Sequence, residues 1–286
     1  MKPTFWWAMD WGLNMEQVGP ALSVTDHESV RRWTMQLAPV NAINAELLDA
    51  FEASLADAEA DDAVAAVVLD SGLKVFSAGA DATWMAQTVE KIGPQGLLAD
   101  FNATMDRFRA VCLRLRQAPF LVIAALDGHA LAGGLELAAA CDLRFCADSD
   151  GLRLGVPEMD LFGCLPSGGG GAQFLARLLG PSRALEFILT AKPISPARAF
   201  EIGLVDRLYP AGEAGSAALE FAVSVASKAG RIGVTSAKQA VFGLGELPLG
   251  AAMPLDGALH WDTMRRGNFL TGVEAFVKRY ASGTAR

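Results

Sequence analysis

Long apolar runs are absent from this chain of 286 residues, although 52% of its residues are hydrophobic. A helix that crosses a bilayer needs about 20 consecutive apolar residues. The apolar run over residues 120–126 stops at Asp127. The run over residues 130–141 contains Glu136, and Asp10 interrupts the apolar N-terminal stretch. We therefore expect no membrane-spanning helix and no signal peptide.

Cysteine and histidine are also scarce, and neither forms a recognisable disulfide or metal pattern. No CxxC pair occurs, and without a secretory signal we expect reduced, buried cysteines in a cytoplasmic protein. The scattered histidines predict no metal site. The cysteines are Cys112, Cys141, Cys146 and Cys164, and the histidines are His27, His129 and His260.

Positive charge is in deficit, since 24 Lys and Arg face 32 Asp and Glu, for a formal net charge of −8. An acidic chain is a poor general binder of nucleic acid or anionic membranes, so we expect neither partner. The high hydrophobic fraction, with only 20% charged residues, excludes a mainly disordered chain. At roughly 150 residues per domain, the length indicates one or two domains.

Short apolar segments alternate with helical patterns, which predicts an α/β fold. A glycine-containing loop is expected over residues 75–81, and a linker over 210–215 precedes an almost wholly helical region. The predicted strands cover residues 21–25, 31–37, 64–69, 120–126, 143–146 and 205–208. The predicted helices cover residues 43–60, 83–87, 96–117, about 133–140, 172–179, 182–189 and 196–202.

Glu136 is the only charged side chain in the run over residues 130–141. Burying an unpaired carboxylate costs several kcal/mol unless the group is protonated. A structural interpretation pairs it with a distant Arg or places it on the exposed edge of a helix. A functional interpretation makes it part of a site, because perturbed carboxylates are enriched at functional sites. The residue alone leaves both open.

Gly133 and Gly134 begin the helix that carries Glu136. A helix N-terminus presents free N–H groups, and glycine lets a ligand oxygen approach the backbone closely. Tight helix–strand packing would explain the two glycines equally well. A second loop, residues 76–81, offers another outward N–H after Gly79, and two convergent N–H groups form an oxyanion hole. Alone, this loop predicts only a turn.

Glu158 is a second candidate carboxylate, held in a rigid segment by Pro157. Paired carboxyl groups divide acid and base work in many enzymes. By itself, an N-terminal helix Glu or a surface Glu is the simpler interpretation.

Three motifs in fixed order make the chain resemble the enoyl-CoA hydratase/isomerase family, the crotonases. They lie at residues 76–81, 124–142 and 155–173, and residues 190–208 match as well. The resemblance implies a crotonase-like spiral of repeated ββα units over residues 21–209. It also implies an N-terminal extension over 1–20 and a helical trimerisation region over 210–286.

The resemblance further implies an acyl-CoA thioester substrate, with coenzyme A as part of the substrate and no separate cofactor. It implies a homotrimer or a dimer of trimers. The oxyanion-hole N–H groups fall on Ala80 and Gly133. Glu136 would activate water, and Glu158 would deliver a proton to C2. The candidates for substrate binding are Ala78, Asp81, Trp84, Met85 and Lys74.

Three departures from the family pattern stand out. Residues 141–158 are slightly longer than usual, which we interpret as a surface hairpin near 148–151. The glycine run 168–171 carries an extra residue. Residues 37–41 lack the basic side chains that often hold CoA phosphates. The candidates to replace them are Arg31, Arg32, Lys74 and Lys278.

The sequence thus predicts a 2-enoyl-CoA hydratase that uses no metal or redox cofactor. One alternative is another crotonase reaction, either double-bond isomerisation by Glu158 alone or lyase chemistry. The other is a non-catalytic crotonase-like subunit that binds RNA or a protein. The acidic balance disfavours RNA, and the pair of acids disfavours lost catalysis.

Overall fold

The computed structural model describes residues 19–281, so the predicted N-terminal extension over 1–20 lies almost wholly outside the described residues. The strands are β1 (Leu22–His27), β2 (Val30–Met35), β3 (Ala66–Ser71), β4 (Val75–Ser77), β5 (Leu121–Leu126), β6 (His129–Leu131), β7 (Leu143–Ala147), β8 (Leu154–Gly155) and β9 (Arg207–Tyr209). The helices are α1 (Ala45–Ala60), α2 (Ala82–Gln117), α3 (Gly133–Ala140), α4 (Glu158–Phe162), α5 (Gly171–Leu179), α6 (Pro181–Thr190), α7 (Pro196–Glu201), α8 (Ala214–Lys238), α9 (Leu249–Arg266) and α10 (Phe269–Ala281).

Three consecutive ββα units form the centre of the fold: β3–β4–α2, β5–β6–α3 and β7–β8–α4. The first strand of each unit joins a six-stranded sheet of order β1-β2-β3-β5-β7-β9. The second strand joins a three-stranded sheet of order β4-β6-β8, whose neighbours are parallel. This repetition confirms the predicted α/β spiral.

Helix α1 shows how the local sequence supports this arrangement. Asn44 caps the helix by accepting a hydrogen bond from the Leu47 amide. One apolar face is buried in the core, which confirms the helix predicted over residues 43–60. The buried residues are Leu47, Leu48, Phe51, Leu55 and Ala58.

The predicted linker over residues 210–215 is fastened to the core. Asp127 accepts hydrogen bonds from the amides of Gly212, Ala214 and Gly215. Helix α8 then packs on the six-stranded sheet through alanines spaced four residues apart, which lets the helix approach closely. These are Ala214, Ala218, Ala222 and Ala226. The domain boundary at residue 210 stays a prediction.

Helix α2 differs from its prediction. A short helical segment at 83–87 and a separate helix at 96–117 were expected, but helical structure runs over Ala82–Gln117. Its one interruption is Gly93, at φ 75°, a conformation that glycine adopts without strain. Pro94 starts the next helical segment, where the N–H that proline lacks is not needed.

Three further predictions were wrong. Residues 75–77, expected to belong to a loop, form strand β4. Residues 148–151 do not form a hairpin, because β7 pairs with β5 and β9, whereas β8 pairs with β6 in the other sheet. This turn therefore passes the chain from one sheet to the next. Cys164 is exposed, although the other three cysteines are buried as expected.

None of the helices within residues 19–281 is both long enough and apolar enough to cross a membrane.

Candidate active site

The sheet β4-β6-β8 brings the candidate residues together. Its strands are parallel, with Ser77 beside Ala130 and Leu131 beside Gly155, so their carboxyl ends lie at one edge. Ala80 follows β4, Gly133 follows β6 and Glu158 follows β8. Residues that are 53 and 25 positions apart in the sequence therefore lie at or just before the starts of three helices, at the same edge of one small sheet.

The first loop leaves the Ala80 amide unused. Ile43 donates its amide to the Gly79 carbonyl, and Asp81 donates its amide to the Ile43 carbonyl. In such a parallel bridge the N–H of the intervening residue points away from its partner. Within the described residues, no acceptor takes the N–H of Ala80.

Asn41 holds this loop in place and was missed by sequence reasoning. The buried side chain accepts from the Leu37 amide and donates to the Phe76 carbonyl. The Asn41 carbonyl accepts a hydrogen bond from Ser77 Oγ. Its φ of 49° is one that asparagine tolerates better than most residues. An asparagine in a turn after a proline was the available signal.

The second loop turns on Ala132, which sequence reasoning also missed. Ala132 has φ 52° and ψ −130°, an uncommon conformation for a residue with a Cβ atom. Such strain is concentrated at functional sites, and here it sets the direction of the Gly133 N–H. No acceptor for that N–H lies within residues 19–281. A Cβ atom built on Gly79 would lie 3.0 Å from Gly133 N, so the two loops touch.

Gly134 has a packing role. A Cβ atom there would lie 2.3 Å from the Ser77 carbonyl oxygen, which belongs to β4. The tight-packing interpretation is therefore correct for Gly134. Gly133 is crowded as well, because its Cβ would meet Ile43 Cδ1 at 2.7 Å.

Glu136 is 2% exposed and is not buried against an arginine. Its Oε2 accepts hydrogen bonds of 2.7 Å from the amides of both Gly169 and Gly171. Burial raises the pKa of Glu136, while the amides of the glycine loop oppose this rise by stabilising the ionised form. The glycine run 168–171 thus bears directly on this carboxyl group.

Glu158 has opposite surroundings. It starts α4 and is 9% exposed, and within residues 19–281 its buried Oε2 has no hydrogen-bond partner. Burial raises the pKa of Glu158 to about 8, and the nearby charge of Glu136 adds to the rise. Of the two acids, Glu158 therefore holds a proton at neutral pH and Glu136 is the better anion.

The other predicted residues lie in different surroundings. The Asp81 carboxylate caps α2 by accepting from the Trp84 amide, and it also accepts from Asn44 Nδ2. The Trp84 ring stacks on Phe101, with ring centroids 6.0 Å apart. Ala78 and Met85 are partly buried in and after the first loop. Lys74 is exposed and precedes β4, at the opposite end of this strand from Ala80.

Two of the basic candidates for CoA phosphates are engaged elsewhere. Arg31 forms ion pairs with three carboxylates, those of Asp26, Asp57 and Asp61. Arg32 pairs with the buried Asp70. Both would have to leave these partners to bind a phosphate.

The spiral of ββα units, with carboxyl groups and amides at the edge of its smaller sheet, defines a crotonase-fold protein. The sequence profile of the enoyl-CoA hydratase/isomerase family matches residues 25–282. The chain belongs to the enoyl-CoA hydratase/isomerase family.

Solved structures agree with this assignment. An enoyl-CoA hydratase from Geobacillus kaustophilus is 32% identical and superposes with a TM-score of 0.82, covering 92% of this chain and 95% of that protein. One from Bacillus anthracis is 29% identical with a TM-score of 0.80, covering 91% and 96%.

Curated relatives match over a shorter part of their length. The alpha subunit of the fatty acid oxidation complex of Shewanella amazonensis is 37% identical over 188 residues, which is 65% of this chain and 25% of that protein. The corresponding subunit of Shewanella baltica is 40% identical over 172 residues, 60% of this chain and 23% of that protein. The chain thus spans about a quarter of the length of these relatives.

Proposed function

We propose that the chain is an enoyl-CoA hydratase, which adds water across the C2=C3 double bond of a 2-enoyl-CoA thioester. The main evidence for this proposal is a pair of buried carboxyl groups that interact with each other. The loop amides around Glu136 favour its ionised form, whereas burial and the charge of Glu136 favour the protonated form of Glu158. Glu136 accepts two amide hydrogen bonds, whereas Glu158 Oε2 accepts none from the part of the chain that the structure describes. Hydration requires such a pair, because one group must take a proton from water while another gives a proton to carbon.

The unused amides of Ala80 and Gly133 complete the proposed site. A thioester oxygen placed between them would receive two hydrogen bonds. These bonds strengthen as negative charge develops on this oxygen in the enolate-like transition state. Loss of one oxyanion donor costs about 2.7–4 kcal/mol in other enzymes.

The proposed reaction balances without an oxidant or a reductant. Glu136 takes a proton from water, the resulting hydroxide bonds to C3, and the electrons of the double bond move toward the thioester. Glu158 then gives its proton to C2. This leaves Glu136 protonated and Glu158 ionised, and proton exchange with solvent restores the starting state. Coenzyme A enters only as part of the substrate, and neither a metal nor a redox cofactor is needed.

Further substrate contacts are proposed for the residues around the first loop. Ala78 is assigned to the CoA side, and Trp84 and Met85 to the acyl side. Asp81 supports them by capping the helix that carries both side chains. Lys74 is proposed for the CoA phosphates because it is exposed and cationic.

The test is a screen of acyl-CoA esters by mass spectrometry in ¹⁸O-labelled water. We expect at least one 2-enoyl-CoA to gain one labelled water, with the label on C3. Migration of the double bond without a hydroxylated product would replace the proposal with an isomerase that uses Glu158 alone. Failure of all esters to react or to bind, together with a salt-sensitive shift of RNA, would indicate a non-catalytic subunit instead.

We also propose a homotrimer or a dimer of trimers. Helix α9 has no buried residue in the single chain, and the C-terminal helices expose many large apolar side chains, for example Leu249 at 77% and Leu270 at 71%. Exposed apolar patches of this kind mark interfaces between proteins. Sedimentation equilibrium is expected to give three or six times the mass of one chain, and Leu270→Glu to lower it. A wild-type protein that sediments as a monomer would contradict the proposal.

The proposed location is the cytoplasm. The four cysteines are free thiols in the structure, as expected in a reducing compartment.

A further inference from the structure

The glycine loop that holds Glu136 fits closely against helix α2. A Cβ atom built on Gly168 would lie 2.6 Å from Met105 Sδ, and one on Gly169 would lie 2.6 Å from Phe108 Cε1. On the other side, a Cβ atom on Gly171 would lie 2.6 Å from Glu136 Cγ. The loop therefore fills the gap between α2 and the carboxyl group, and a side chain at residue 169 or 171 would collide with the Phe108 ring or with Glu136 itself.

Arg109 provides a polar attachment between the same helix and this loop. Its Nη2 donates a 3.2 Å hydrogen bond to the carbonyl oxygen of Ser167, the residue directly before the glycine run. Its Nη1 donates a 2.5 Å hydrogen bond to Asp106 Oδ1 on α2. Asp106 thereby fixes the guanidinium group, although the side chain of Arg109 is 49% exposed.

We propose that Arg109 is a positioning residue for Glu136, acting through Ser167 and the glycine loop. The proposal rests on the proposed hydratase function, in which Glu136 is the base. Arg109 does not touch the reacting atoms. It fixes the carbonyl of Ser167, and the loop that follows then presents the Gly169 and Gly171 amides to Glu136. A catalytic group displaced by about 1 Å can lose about 100-fold in rate.

The charge of Arg109 and its hydrogen bond to Ser167 both support Glu136 as the base. Its positive charge favours ionised Glu136, the form that accepts a proton. The other titratable groups that interact with Glu136 are Cys112 on α2, Glu158 on α4 and Cys164 in the turn after α4. None of these three can supply a positive charge. Removing Arg109 therefore raises the pKa of Glu136.

The experiment compares Arg109→Gln with the matched control Arg114→Gln. Arg114 lies on the same helix but pairs with Glu59 on α1. For Arg109→Gln we expect a decrease in kcat of at least about tenfold, little change in KM, and a shift of the acidic limb of the pH–rate profile to higher pH. Arg109→Lys retains the positive charge but not the planar guanidinium group. We therefore expect the acidic limb of its pH–rate profile to lie closer to that of wild type than its kcat does.

Hydrogen exchange provides a readout that does not depend on catalysis. In Arg109→Gln the amides of residues 168–171 are expected to exchange at least about tenfold faster than in wild type, and in Arg114→Gln at the wild-type rate. Wild-type exchange together with wild-type kcat in Arg109→Gln would overturn the positioning role. If the wild-type protein hydrates no ester, the proposed function fails separately, and loop exchange still decides whether Arg109 positions the loop.

Discussion

Glu136→Gln is expected to reduce hydration of a four-carbon 2-enoyl-CoA by about a thousandfold, within the range of general acid–base catalysis. Gln keeps an oxygen that can accept the amide hydrogen bonds of Gly169 and Gly171, so the loop remains seated. It cannot take a proton from water. Binding of a saturated acyl-CoA ester, measured by calorimetry, should stay within a few-fold of wild type because the oxyanion amides are unchanged.

The matched control is Glu220→Gln, on the exposed face of α8. It removes the same charge away from the site and should leave turnover unchanged. Turnover of Glu136→Gln close to that of wild type would remove Glu136 from the mechanism. Retained double-bond migration with lost hydration would favour the isomerase alternative instead.

Glu158→Gln is expected to lower hydration by a similar factor, about 100- to 10,000-fold, because the proton for C2 is lost. Wild-type activity should also fall as pH rises through about 8, since Glu158 then ionises. The dehydration direction should show the same basic limb, because the active enzyme in both directions carries one proton shared between Glu136 and Glu158. A rate that stays constant between pH 7 and pH 10 would contradict this assignment.

The same substitution has a second effect, on stability. Burial holds the pKa of Glu158 at about 8 in the folded protein, whereas the unfolded chain releases this proton near the ordinary glutamate pKa of 4.5. The folded state thus binds more protons between these two values, and the free energy of unfolding falls as pH rises through this window. Glu158→Gln removes this pH-dependent loss. Between pH 5 and pH 9, its free energy of unfolding should therefore rise by roughly 2–4 kcal/mol relative to that of wild type.

Urea unfolding at the two pH values measures this difference, and Glu220→Gln again serves as the control. Parallel pH dependences of wild type and Glu158→Gln would show that Glu158 is not held protonated by burial.

Much of the fold follows from local pattern. The apolar segment predicted as a strand over residues 120–126 corresponds to β5, Leu121–Leu126. The helix predicted over residues 43–60 is α1, because its apolar spacing matches the helical period and Asn44 supplies a cap. The break in α2 was predicted too long, over residues 88–95, because Gly93 and Pro94 together are typical of a loop, whereas here they interrupt a helix for one residue.

The candidate site was predicted in composition but not in geometry. The position of Glu136 in an apolar run marked it as unusual, yet its partners lie 33 and 35 residues away. The hydrogen bond from Arg109 to the Ser167 carbonyl joins residues that are far apart in the sequence. The same is true of the hydrogen bonds between Asn41 and residues 76 and 77. Such contacts depend on how the spiral stacks, which no spacing in the sequence states.

The amino-acid sequence by itself determined the six strands of the larger sheet, most of the helices, the motif order that indicated the family, and the identity of the two acids. Only the tertiary structure decided which acid carries the proton. Protonation depends on distance, burial and hydrogen-bond donors in three dimensions. Two loop amides donate to Glu136, whereas no donor among the described residues reaches Glu158 Oε2.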